Sequence, residues 1–290
     1  MLKILIPVLL AYILKHLRIF KEETSKDFIN YIIYFALPFL TFKSGYELGF
    51  NPQVLKLTFS IWLIILTSIF LAYMVGKLLK LNPVDFKTFL LISSFGNTAF
   101  LGFPFTYSFF GEEALKIAVL YDAFGSVLLV FSIGVFIASG RASIKTLITF
   151  PPFIGLLSGL IFSKIELPLF IIELLNFVSL SVLPVILFAL GLSLSLNHIS
   201  KNLTTSFLAL FLKMVSGAVL AIIYTSLLKI TGMPQKVIIL ESMMPSMVMS
   251  GVLALKFDLN SNLAFSAITL GIVLSFFIIP IFMKFILSLI

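Results

Sequence analysis

Two apolar stretches, about half a chain apart, are each broken at mid-length by residues that a continuous membrane helix does not tolerate. The first reads FLLISSFGNTAFLGFPF and holds Gly96, Asn97, Thr98, Gly102 and Pro104. The second reads VIILESMMPSMVMSGVLA and holds Glu241, Ser242, Pro245, Ser246, Ser250 and Gly251. Backbone N–H and C=O groups exposed to lipid find no partner, so a broken helix survives only where it lines a polar cavity or is buried in protein. Corresponding breaks in the two halves of a membrane chain point to a transport site.

The rest of the chain supplies the membrane. It is 60% hydrophobic and only 11% charged, against about 45–50% and 25% in soluble domains. The spacing predicts ten spans, near 2–17, 28–46, 54–79, 87–110, 114–138, 148–163, 168–196, 204–228, 235–256 and 262–288, each compatible with crossing a bilayer or part of one. The first and sixth are short. The expected fold is therefore an all-α integral membrane protein with the lipid bilayer as its solvent. The Met1–Leu17 run has no small-residue cleavage site and reads as a first span rather than a removable signal.

The formal charge of +8 does not point to nucleic acid, because the basic residues are scattered between apolar runs and form no basic arm. Their distribution sets topology instead. Through the first three loops that follow odd-numbered spans lie Lys15, Arg18, Lys21, Lys26, Lys77, Lys80, Lys87, Arg141 and Lys145. The opposite side has Lys3, Lys43, Lys56 and Lys116 over the same length. By the positive-inside rule both termini lie outside the cytoplasm of a multi-pass protein of the cell membrane. There are no cysteines, hence no disulfides or thiolate metal sites. His16 and His198 lie far apart in basic loops and are not expected to hold a metal.

The halves repeat one another. Pro7 and Pro152 open the first and sixth spans, Pro38 and Pro184 interrupt the second and seventh, and Gly96 and Pro245 break the fourth and ninth. These pairs recur in order at nearly constant offset. Five spans per half is an odd number, so the second half inserts upside down. The expected architecture is two inverted five-helix repeats, residues 1–139 and 147–290, joined by a short cytoplasmic connection at 140–146, with the site at the midplane between them.

The residues at the breaks suit a small polar ligand. Gly96 loosens the first break, Asn97 offers donor and acceptor, and Thr98 adds a hydroxyl. Pro245 cannot donate and is expected to free the carbonyl of Glu241, with Ser246 beside it. Helix N-termini at a break favour an anion such as a carboxylate. Asp122 and Glu241 are acids deep within spans, costly there and so expected to face an ion pathway. Ser126 shares a helix face with Asp122. A carboxylate among hydroxyls can carry H+ or hold Na+, and the residues do not choose between them. Lys213 lies six residues past the start of its apolar run and is expected to snorkel to the cytoplasmic interface. An enzyme is not expected: there is no HExxH, no DDxxD and no GxGD, and Asp258 lies in a loop, KFDLN. No catalytic residue and no cofactor is assigned.

Four stretches together resemble the auxin efflux carrier family, which includes plant auxin exporters and bacterial permeases for small organic acids: YFALPFLTF (Tyr34–Phe42), GNTAFLGFPF (Gly96–Phe105), LPVILFALGLSL (Leu183–Leu194) and MMPSMVMSGVLA (Met243–Ala254). The resemblance covers essentially the whole chain. It implies a scaffold domain and a transport domain, with the fourth and ninth helices crossing as broken helices at the substrate site. Plant members often carry Pro before the Asn of the first crossover, where this chain has Gly96, and they have a long central loop that is minimal here. The wider fold is similar to that of sodium–bile acid symporters, which implies Na+ at Asn97 and Glu241. The expected function is secondary transport of a small organic anion, auxin-like or a dicarboxylate, by an elevator or rocking motion, with Gly96, Asn97, Thr98, Pro245 and Ser246 at the substrate and Asp122, Ser126 and Glu241 at the coupling ion. The alternatives are an uncoupled anion uniporter or channel and a transporter-like ligand sensor. A homodimer is compatible with such a chain.

Overall fold

A computed structural model describes residues 2–21, 23–141, 144–194 and 203–287. His198, Lys201 and Ala142–Ser143 of the central connection lie outside the described residues. The described chain is all-helical, and its single extended pairing is one antiparallel bridge between Gly96 and Ser246.

Thirteen helices follow in order: α1 (Leu2–His16), α2 (24–48), α3 (Pro52–Leu78), α4 (Pro83–Ser94), α5 (98–110), α6 (Glu112–Ser139), α7 (Ile144–Ile148), α8 (Pro151–Phe162), α9 (Leu169–Ser193), α10 (Leu203–Leu227), α11 (Met233–Ser242), α12 (Val248–Lys256) and α13 (Ser261–Leu287). By length and composition α3, α6, α9, α10 and α13 can each cross a membrane. Their outer faces carry exposed Phe, Leu and Ile, as a lipid-facing surface requires.

Local rules set the helix ends. Proline is tolerated in the first turn because its missing N–H has no intrahelical partner there. Pro52, Pro83 and Pro151 open α3, α4 and α8 in this way. Asn51 and Asn82 cap α3 and α4 by accepting from the N–H groups of Val54 and of Val84 and Asp85. Gly111, at φ 81°, reverses the chain between α5 and α6. Pro7 and Pro280 lie inside α1 and α13 without interrupting them, whereas at two other prolines the helix loosens. Pro38 follows a π-helical turn at Ile32–Ala36 within α2, and α9 turns at Ser181 just before Pro184.

Two groups of helices result. In one, α8 lies along the second half of α2, where Gly155 and Gly159 approach the backbone of Pro38 and Phe42, and α1 lies along α9, where Gly191 approaches Val8. Small residues allow this contact without a hydrophobic driving force between helices. The other group holds α3, α4, α5, α6 and α10–α13 packed around the two breaks. An apolar core continues through both, from Ile4 and Val8 to Phe105, Met244 and Ile272.

Candidate functional site

The two breaks meet. Helix α4 ends at Ser94, Phe95 becomes extended, and α5 begins at Thr98. Helix α11 ends at Ser242 and α12 begins at Val248. The strands between them pair antiparallel. Asn97 donates its backbone N–H to the Pro245 carbonyl (2.7 Å), and Met247 donates to the Phe95 carbonyl (2.9 Å). Ser246 Oγ donates to the Ile92 carbonyl (2.6 Å) and Ser250 Oγ to that of Leu91 (3.2 Å), so α12 is fastened to α4. Backbone groups that neither helix can satisfy thus satisfy each other, which is what buried non-helical backbone in a membrane requires.

The crossing is polar and sealed. Asn97, Thr98, Asp122, Ser126, Glu241, Ser242 and Ser246 are all buried. A π-helical stretch of α6, Tyr121–Val127, turns Asp122 and Ser126 inward. Trp62 on α3 steadies that stretch by donating Nε1–H to the Phe124 carbonyl (2.6 Å). Thr98 Oγ1 donates to Asp122 Oδ1 (2.6 Å), joining α5 to α6. Thr106 Oγ1 donates to Glu241 Oε1 (2.8 Å), joining α5 to α11. Tyr121 and Ser242 share a hydroxyl–hydroxyl bond of 3.0 Å. Glu241 Oε2, Asn97 Nδ2 and Ser126 Oγ have no partner within the protein. Buried polar atoms are rarely left so.

Gly96, Asn97, Thr98, Asp122, Ser126, Glu241, Pro245 and Ser246 lie at or beside this crossing, with distinct duties. Gly96 and Ser246 form the bridge, the Pro245 carbonyl and the Ser246 hydroxyl are consumed in holding the breaks together, and Asn97 and Thr98 begin α5. Two expectations are corrected. The Glu241 carbonyl is not freed by Pro245: it accepts from Met244 N–H (3.2 Å) in a last tightened turn, and the open carbonyl is that of Ser242. Lys213 does not snorkel. A π-helical turn at Leu212–Ser216 of α10 carries it inward, where it is 4% exposed and donates Nζ–H to the Ser242 carbonyl (2.7 Å). Gly217, one turn on, lets α10 close against that carbonyl, since a Cβ there would collide with it.

The Na+ expected at Asn97 and Glu241 has a test in this geometry. A hard cation needs several convergent oxygens. One Glu241 oxygen is held by Thr106 and the other is packed against Gly102, and the unwound carbonyl of the second break faces an ammonium. The donor set does not fit a bound Na+.

A cavity of about 730 Å³ lies elsewhere, between the two helix groups. Pro7, Ser44, Pro104, Tyr107, Asn176 and Ser179 line it, and lysines and glutamates stand at its mouth. There Lys43 on α2 bonds Glu112 on α6 (2.7 Å), and Lys116 on α6 bonds Glu47 on α2 (3.3 Å). Helix α5 connects the two regions, with Asn97 and Thr98 at its start and Pro104 and Tyr107 on the cavity. The breaks did not announce this cavity, because its lining comes from helices distant in sequence.

A sequence profile for a family described as membrane transport protein matches the chain twice, over residues 1–146 and 134–283. The chain belongs to this family, the auxin efflux carrier type of membrane transporter. It is 33% identical over 292 residues to a protein named uncharacterized transporter from Methanocaldococcus jannaschii, covering 96% of this chain and 95% of the relative. It is 29% identical over 294 residues to a protein of the same description from Methanothermobacter thermautotrophicus, covering 97% and 95%. Family membership and the apolar helices make this transporter an integral multi-pass membrane protein.

Proposed function

We propose that this transporter moves a small organic anion by secondary transport, with the crossing of α4–α5 and α11–α12 as its substrate site. The observation that carries the reading is the crossing itself. Two helices broken at mid-length are joined by a backbone bridge, and the N-termini of α5 and α12 open at it. Free N–H groups and positive dipole ends favour a carboxylate there, and Asn97 Nδ2 supplies an unengaged donor. In this reading the ten spans form two inverted repeats, and α3–α6 with α10–α13 move against α1, α2, α8 and α9. The cavity at α5 is the entry vestibule on the non-cytoplasmic side, and the Lys43–Glu112 and Lys116–Glu47 pairs are exchanged as the groups move.

Asp122 and Glu241 couple the cycle. Each accepts one threonine hydroxyl at the crossing, and each can take up and release a proton as the site changes its access. Flux in proteoliposomes tests the function. Saturable uptake of a mono- or dicarboxylate that responds to an imposed pH gradient supports it. Large conductance without exchange, or binding without flux, replaces it by a channel or a sensor.

A further inference from the structure

Lys213 raises a question that the transport reading leaves open: what a cationic side chain does at the centre of a membrane transporter's site. Among the described residues the buried charged side chains are Asp122, Glu241 and Lys213. All three are at the crossing, and a charge at that depth costs several kcal/mol unless it has a partner. The ammonium has three N–H donors, and the Ser242 carbonyl takes one of them at 2.7 Å. That carbonyl ends α11, so it combines an unwound acceptor with the negative end of a helix dipole. Unwound carbonyls at half-helix C-termini are where transporters of broken-helix design hold a coupling cation. The Glu241 carboxyl lies within electrostatic reach of the same ammonium, and its Oε2 has no partner.

Two glycines shape the space for this arrangement. A Cβ on Gly96 would lie 3.1 Å from both Cε and Nζ of Lys213, so the residue that breaks the first helix also leaves room for the lysine tip. Gly217 lets the backbone of α10 reach Ser242. The lysine is therefore built into the crossing from both breaks.

We propose that Lys213 is the resident cation of the crossing: its ammonium holds the place at the Ser242 carbonyl that a coupling Na+ would otherwise take, so this transporter works without bound sodium. The inference rests on the crossing being the transport site, but its test uses neither substrate nor gradient and so can fail or succeed independently of the flux assay. The full chain is purified in detergent, and its thermal unfolding is followed against NaCl, with choline chloride keeping ionic strength constant. The wild type should show no saturable Na+-specific shift. Lys213→Ala should melt lower and should gain a saturable stabilisation by Na+ or methylammonium, small cations able to enter the vacated place. A saturable Na+ shift in the wild type overturns the proposal, as does a folded Lys213→Ala that responds to neither cation. If Lys213→Ala does not fold, Lys213→Gln is titrated in its place with the same criteria. If neither neutral variant folds, recovery of Lys213→Arg supports a requirement for charge, whereas loss of Lys213→Arg as well shows a requirement for shape and overturns the proposal.

Discussion

Replacing Thr106 with valine isolates one bond at the crossing. The side chain keeps its shape and loses the hydroxyl that donates to Glu241 Oε1 at 2.8 Å. Both residues are fully buried, and Glu241 Oε2 already lacks a partner. The variant thus leaves a buried carboxyl with no hydrogen bond from the protein at either oxygen. A hydrogen bond to a charged group contributes about 1.5–3 kcal/mol, and removing one partner exposes most of that cost. At about 2–4 °C per kcal/mol, the unfolding midpoint in detergent should fall by roughly 3–12 °C. A double-mutant cycle makes the attribution specific. In a Glu241→Gln background the neutral amide demands less, so Thr106→Val should cost only about 1 kcal/mol. Equal stability of Thr106→Val and wild type, or an equal loss in both backgrounds, would refute the argument that this bond secures the acid.

Further outcomes follow from the same geometry. Asn97→Ala should weaken anion binding tenfold or more, about 1.4 kcal/mol, while the protein remains monodisperse, as read by a thermal-shift titration with the transported anion. Glu241→Gln and Asp122→Asn should each retain exchange, and loss of gradient-driven accumulation in one or both identifies the coupling acid; wild-type accumulation in both variants would leave the uniporter reading in front. Gly217→Ala should separate α10 from α11 and break the Lys213–Ser242 bond, an overpacking cost of about 1–3 kcal/mol, measurable as a lower unfolding midpoint than that of an alanine at exposed Val219. Because the chain has no native cysteine, Lys43→Cys with Glu112→Cys can be joined by a bifunctional thiol reagent; uptake should stop on crosslinking, and unchanged uptake would show that α2 and α6 do not move apart.

Whatever follows from neighbours along the chain was legible before any contact was known. Its apolar runs require helices in lipid, and Gly96 and Pro245 require those helices to break where they do, because backbone geometry and the missing proline N–H act over four residues. The burden of two intramembrane acids was equally legible, since depth in an apolar run alone makes Asp122 and Glu241 expensive. The tertiary structure decided who meets them. Thr98 lies 24 residues from Asp122, Thr106 135 from Glu241, and Lys213 29 from Ser242. No local pattern distinguishes a lysine that snorkels from one that turns inward. That choice depends on the π-helical turn of α10 and on how closely Gly217 lets it approach α11. The carbonyl left open at the second break was likewise set by packing. The last turn of α11 tightened to use that of Glu241, and the one beyond it faced the only ammonium buried among the described residues. Helix breaks are written in the covalent chain, but the charges that fill them are assigned by the contacts that folding creates.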